Sequence, residues 1–333
     1  MNSSTPYYAP SAHPDDIPNP LEAAVAIGAV RLQAAVHGAY HGFVLPPAVL
    51  PEIRTVGYWD ASSDQHWGRS WHRHEGIEFT YLHSGRLGIE VLDQPYELHP
   101  GQMTITRPWQ RHRVGLPEVS ASRLTWLVLD VGARRPNQEW KWPRWVMLTQ
   151  DEKMRLADFL RHNEQPVWSS NRRIEAAFHR LAKVAETART KFDQTEALLS
   201  VNELLLAVLR HLDQLQPAGD ISLTSSYRSV ELFLATLPQQ VGHFWTVETM
   251  AEACGVKRSR FTSLCREITN RAPAEYLAHC RVDAACGLLR EKTDMSVTDV
   301  ANACGFGTSQ YFATVFRRLR GCSPLAWRQK LAK

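Results

Sequence analysis

Between about Ser225 and Lys333 one pattern is written twice, and few folds accommodate such a repeat. Thr246 to Val256 is echoed by Ser296 to Phe306. Val247, Ala251, Ala253, Cys254 and Gly255 match Val297, Ala301, Ala303, Cys304 and Gly305 at an offset of fifty. Beyond the glycines the offset becomes fifty-one, and Phe261, Arg266 and Pro273 match Phe312, Arg317 and Pro324. A repeat that survives a one-residue insertion in a turn marks a duplicated supersecondary unit.

Each copy reads as a short helix, a glycine turn and a second helix. Gly255 and Gly305 stand where a left-handed backbone costs a glycine little. In the second helix of copy one, Phe261, Leu264, Cys265 and Ile268 share one face, as do Phe312, Val315, Phe316 and Leu319 in copy two. Turning those faces inward leaves Ser259, Thr262, Ser263 and Arg266 outward in the first, and Gln310, Ala313, Thr314 and Arg317 in the second. Arg258 and Ser309 stand near the starts of the two helices. Short polar side chains with one arginine suit a helix in a DNA major groove, where Gln, Ser and Thr read base edges and Arg takes phosphate or guanine. The span Pro273 to about Leu289 has Pro at a helix start and Tyr276, Leu277, Cys280, Val282 and Ala285 at helical spacing. A bridge of about 25 Å would hold two recognition helices about one DNA turn apart, roughly 34 Å.

This region, down to the closing Cys322-Ser323-Pro324-Leu325-Ala326-Trp327-Arg328, resembles the tandem helix-turn-helix domain of the AraC/XylS transcription regulators. The resemblance implies an all-α DNA-binding domain over residues 225–333, with double-stranded DNA as partner and RNA polymerase as a further one.

Charge is distributed accordingly. From Ser225 onward fifteen Lys/Arg face nine Asp/Glu, a net +6, within a chain of net charge +4. The excess sits where counterion release would use it. All six cysteines fall within Cys254–Cys322 without a CxxC pair, so they read as small core residues of a reducing compartment. Residues 1–20, rich in Pro, Ser and Asn, read as disordered. Asp15, Asp16 and Glu22 around the apolar Leu21–Val30 stretch argue against a secretory signal, and no uncharged apolar run is long enough for a membrane span. The expectation is a cytoplasmic protein with no membrane contact.

Residues 21–147 read as a sensor domain. Leu21 to Tyr40 reads as an amphipathic helix. Glu78–Leu82, Arg86–Leu92, Gln102–Thr106 and Leu124–Val131 read as strands, punctuated by Ser84-Gly85, Asp93-Gln94-Pro95 and His99-Pro100-Gly101. Short strands with tight turns argue for a jelly-roll barrel. His72-x-His74-x3-Glu78 followed by Gly85, and later Pro108-x3-His112, resemble the two cupin motifs, with Trp109 where that family has a glycine. In a metal cupin His72, His74, Glu78 and His112 would converge on one ion. The missing glycine and the resemblance to AraC-type sensors point instead to a pocket for a small organic effector, with no metal or other cofactor. Trp71 and Trp109, each beside a pocket histidine, would stack on that effector, a preference that suits a sugar-like molecule.

Residues 148–215 turn helical. Thr149 with Glu152 reads as a capping box opening a helix to about Arg161. Ile174, Phe178, Leu181 and Ala185 form a stripe, and Thr195–Leu215 is leucine-dense on more than one face, packing on the barrel or on a second protomer. Residues 216–224 form a linker. The chain is therefore expected to be an α+β multidomain protein: a cupin-like sensor, helices, then the double helix-turn-helix. Its expected function is that of a non-enzymatic, effector-responsive, homodimeric transcription activator, against the alternative of a metal-dependent cupin enzyme fused to a DNA-binding module.

Overall fold

The computed structural model describes residues 20–331 apart from 39, 70, 117 and 216–218. The disorder expected for the N-terminus and the start of the linker lie outside the described residues. The chain divides into a unit ending at Thr224 and a unit beginning at Ser225.

The first unit opens with helix α1 (Pro20–Ala26) and strands β1 (Val30–Val36), β2 (Phe43–Val44) and β3 (Ile53–Ala61). The helix expected over Leu21–Tyr40 thus ends at Ala26, and Val30–Val36 is a strand. Gly28 takes φ +74 and ends α1 early. From Val30 the chain pairs antiparallel with β3, Val30 opposite Ala61 and Val36 opposite Thr55. Burying Ala34, Ala35 and Val36 there outweighs the helix preference of an alanine-rich segment. Next come β4 (Gly76–Gly85), β5 (Leu87–Val91), β6 (Gln94–Leu98), β7 (Gln102–Thr106), β8 (His112–Val114), β9 (Ser122–Asp130) and, after a helix, β10 (Val167–Ser169). They form one sheet in the order β10-β7-β4-β9-β3-β1-β2 and a smaller one in the order β6-β5-β8.

Strand alternation assigns the two faces of the large sheet. Ile77, Phe79 and Tyr81 of β4, with Leu127 and Leu129 of β9, join a buried cluster supplied by helices α2 (Gln150–Arg161), α3 (Arg172–Thr187) and α4 (Gln194–Leu215). Leu82 and Leu124 on the opposite face pack with Leu87, Ile89 and Leu98 of the small sheet. Glu78 and Thr80 share that inner face. Thr149 caps α2 with the full box to Glu152, an arrangement that contributes on the order of 1 kcal/mol. Phe178, fully buried, stacks on Tyr81 with ring centroids 5.3 Å apart. Leu204, Leu205, Leu209 and Leu212 are buried in the same cluster, so α4 packs within its own chain, chiefly against α3, while Leu199 and Leu215 stay exposed.

The second unit is helical: α5 (Ser226–Thr236), α6 (Val247–Ala253), α7 (Arg258–Thr269), α8 (Pro273–Glu291), α9 (Val297–Ala303), α10 (Ser309–Arg320) and α11 (Pro324–Leu331). The repeat reappears in its caps. Thr246 and Ser296 cap α6 and α9 through their side chains. Gly255 and Gly305 take φ +64 and +75, and Asn270 and Gly321 end α7 and α10 left-handed. Phe261 packs on Phe233 of α5, and Phe312 and Phe316 pack with Val282, Ala285 and Leu289 of α8. The 19 residues of α8 span about 28 Å. Among the described residues no helix is long and apolar enough to cross a membrane.

Candidate functional site

The segment at His72–His74 runs antiparallel to Trp109–His112. His72 and His112 exchange backbone bonds of 2.9 and 3.0 Å, and the Trp109 N–H donates to the His74 carbonyl at 2.9 Å. This pairing brings both motifs to the inner face of β4. His74 Nε2 lies 2.8 Å and His112 Nε2 3.1 Å from the same Glu78 oxygen, Oε2, while the Thr80 hydroxyl donates to Oε1 at 3.2 Å. His74 and His112 are buried. Their Nδ1 atoms face the carbonyls of Gly76 at 3.1 Å and Gln110 at 2.8 Å. A carbonyl only accepts, so both Nδ1 atoms carry hydrogen. In a neutral ring Nε2 is then a lone pair, and two lone pairs aimed at a carboxylate oxygen need a proton or a cation between them.

Burial alone would raise the Glu78 carboxyl, but hydrogen bonds from His112 and His74, and then their charge, hold it well below the usual carboxylate range. His72 is pushed down by burial and next by the neighbouring His112. The ligating atoms of His72, Glu78 and His112 all lie within 4.8 Å of one another. Mixed imidazole and carboxylate donors, with tautomers fixed from behind, fit a divalent Fe, Mn or Zn.

The glycine expected at Trp109 proves dispensable. Arg107, Pro108, Trp109 and Gln110 form a turn closed by Gln110 N–H to Arg107 O at 3.1 Å, with Trp109 itself at φ +67. Proline then a left-handed residue is the type II pattern, so the tryptophan keeps the glycine's backbone and the motif's geometry survives.

The tryptophans do not offer the aromatic platforms expected. Trp109 is buried and donates Nε1–H to the Ala133 carbonyl at 3.0 Å. The guanidinium of Arg111 lies 3.9 Å from the Trp71 ring centroid, and that of Arg113 5.0 Å. Sequence reasoning missed Thr80, legible as the next residue on the inner face of β4, and Tyr40. Burial, and then the charges of Glu75 and Glu78, push the Tyr40 hydroxyl up, placing it in the electrostatic reach of the cluster.

In the second unit Arg258, Ser259, Thr262, Ser263 and Arg266 line one open depression along α7. On α10, Gln310, Thr314 and Arg317 are exposed and Ser309 and Ala313 half-buried. Thr262 and Thr314 donate their hydroxyls to the carbonyls of Arg258 and Gln310, at 2.9 and 3.0 Å. Arg258 is braced by Glu248 of α6 at 2.8 Å. Arg260 and Tyr311, matched at the offset of fifty-one and both exposed, escaped the reading although the repeat points to them.

Family models for a helix-turn-helix domain and a cupin domain match residues 250–330 and 64–128. The chain is similar to the MmsAB operon regulatory protein of Pseudomonas aeruginosa, 25% identical over 228 residues covering 67% of this chain and 69% of the relative. It is similar to the transcriptional activator RhaR of Cronobacter sakazakii, 26% identical over 274 residues covering 78% and 86%. Over a shorter stretch of 82 residues, covering 25% of this chain and 29% of that one, it is 40% identical to the transcriptional activator RhaS of an Enterobacter strain.

Proposed function

We propose that this chain, a DNA-binding regulator of the AraC/XylS type with a cupin-like N-terminal domain, is a cytoplasmic, effector-responsive activator of transcription and not an enzyme. The observation that carries the reading is the matched outward faces of α7 and α10, which differ in residue type at equivalent positions, Ser259 against Gln310 and Ser263 against Thr314. Two non-identical readers on one domain recognise an asymmetric duplex site through consecutive major grooves. Activation is the role that the similar activators' names carry, and contact with RNA polymerase is the means we propose for it here.

The effector is a small polar molecule held at His72, His74, Glu78 and His112. The covered Trp71 ring and the buried Trp109 favour ionic and hydrogen-bonded capture over a stacked sugar. Gln110 links this cluster to the linker. Its carbonyl holds His112, its amide donates to Glu164 at 3.3 Å, and Glu164 also holds the buried Arg107. Two residues before Glu164, the His162 carbonyl accepts the Asp220 N–H at 2.7 Å and its Nε2 lies 3.2 Å from the Thr224 hydroxyl. Ligand at the cluster thereby biases the segment leading to Ser225, a coupling typically worth about 1–3 kcal/mol. Homodimerisation through the exposed Leu199 and Leu215 of α4 completes the reading.

The donor set at His72, Glu78 and His112 also suits a metal-dependent cupin enzyme, and the regulatory roles of the relatives weigh against it. Selection of a binding site from random duplex DNA with the full chain, followed by footprinting, tests the main reading. The expected footprint is asymmetric and covers about two helical turns. Protection limited to one groove, or a requirement for a palindrome, would overturn it.

A further inference from the structure

The connecting helix α8 is not the only tie between the two helix-turn-helix copies. The loop Val241–Trp245 leads into α6 of the first copy. Trp245 anchors it there, edge-on to Phe233 at 5.5 Å, and Phe233 in turn meets Phe261 of α7 at 5.6 Å. From the middle of α8, Arg281 reaches this loop: its Nε–H donates to the Val241 carbonyl at 3.1 Å and its Nη2 to the His243 carbonyl at 3.0 Å. The same guanidinium lies 5.8 Å from the ring centroid of Phe306, in the turn of the second copy, and Phe306 meets Phe312 of α10 at 4.9 Å.

Two glycines close the junction. A Cβ on Gly305 would stand 2.4 Å from the Val241 carbonyl oxygen and 2.8 Å from Arg281 Nη2, and one on Gly242 would stand 2.7 Å from the Ala303 carbonyl oxygen. The loop of copy one is thus pressed against the turn of copy two, with the planar, multi-donor head of one arginine between them. A continuous line of packed groups runs from α7 through Phe233, Trp245, His243, Arg281 and Phe306 to α10. Burial draws the Arg281 guanidinium down from its ordinary value.

We infer that Arg281 is a positioning residue for DNA recognition, a lock that fixes the distance and rotation between the two recognition helices. The inference rests on the reading that both helices engage one duplex. A fixed pair of helices tolerates one separation between its two sequence elements. Inserting or deleting a base pair moves one element by about 3.4 Å and rotates it by roughly a tenth of a turn, and a rigid pair cannot follow both changes. An unlocked pair, joined by α8 alone, can swivel.

The test uses the full chain and the duplex selected by it, remade with one or two base pairs inserted or deleted between the two elements. Wild type should bind with a sharp optimum, losing roughly tenfold or more for each base pair of displacement. Arg281→Met keeps the aliphatic stem and removes the donors. It should bind the optimal duplex within a few-fold of wild type but show a flattened spacing profile. Arg281→Lys, which retains the charge and can reach one carbonyl, should lie between the two and serves if the Met variant does not fold. Variants with weaker binding but an unchanged sharp profile would overturn the lock and leave Arg281 a purely structural residue. A wild-type profile with no spacing dependence would mean that a single helix engages, overturning the tandem reading and the lock with it.

Discussion

His112 Nε2 stands 3.1 Å from Glu78 Oε2 while its Nδ1–H is committed to the Gln110 carbonyl, so a neutral ring would present a lone pair to an acceptor. With His74 in the same situation, the cluster is satisfied by a cation or by protons. Zn²⁺ or Mn²⁺ added to the metal-depleted chain should therefore raise the thermal unfolding midpoint of the first unit. At a hundredfold excess over Kd the stabilisation is about 2.7 kcal/mol. Glu78→Gln and His112→Ala should abolish the shift. An unshifted wild-type midpoint across these ions would mean that protons, not a cation, satisfy the cluster.

Trp109 occupies a left-handed backbone at φ +67 that costs a non-glycine residue roughly 1–2 kcal/mol, yet its indole is buried. Truncation to Ala should destabilise the domain by about 3–5 kcal/mol. Trp109→Gly loses the same side chain but relieves the backbone, so the Gly variant should be more stable than the Ala variant by about 1 kcal/mol. Urea denaturation of the pair measures this. The reverse order would mean that the turn adjusts its backbone when the indole is removed.

Local signals carried most of the fold. The repeat placed two turns that Gly255 and Gly305 close at positive φ, and the Thr149–Glu152 spacing announced a capping box the structure contains. Leu21–Tyr40 misled because its alanines suit a helix in isolation, whereas the deciding interaction is with β3, whose partners lie from 19 positions away at Val36–Thr55 to 31 at Val30–Ala61. The four motif residues of the cluster were legible from their resemblance to the cupin motifs. Their supports were not: Gln110 and Glu164 are 54 positions apart, and no pattern in one sequence links them. Arg281 was hidden for the same reason, since its partners Val241 and His243 lie 40 and 38 positions away.

On DNA, base-reading and phosphate-binding residues should separate by their salt behaviour. Gln310→Ala should cost about 1–3 kcal/mol on the selected site and relax preference within the element read by α10. Arg266→Ala and Arg317→Ala, late in their helices and exposed, should weaken binding to all sequences and lower the salt slope by about one each. Fluorescence anisotropy titrations across a salt series distinguish the two classes. Uniform loss in Gln310→Ala would remove it from the base readers.

Acid should loosen the joint between the sheet and α3. His83 of β4 lies with Nε2 2.8 Å from the Thr125 hydroxyl and its ring 4.7 Å from that of His179 on α3, whose own Nε2 is 3.7 Å from Glu175. Burial, then the charges of His179 and Arg123, pull His83 down from 6.5 to about 4. As pH falls through that window, the unfolded chain takes up a proton that the folded one refuses. The stabilisation is therefore fully present above 6.5 and is lost progressively as pH approaches 4. His83→Gln keeps a donor for Thr125 and removes the titration. Its thermal midpoint should decline less steeply than that of wild type over the same window, with the two curves closest at the acid end. Parallel curves would mean that His83 takes up its proton in the folded state without penalty, with Glu175 near enough to compensate.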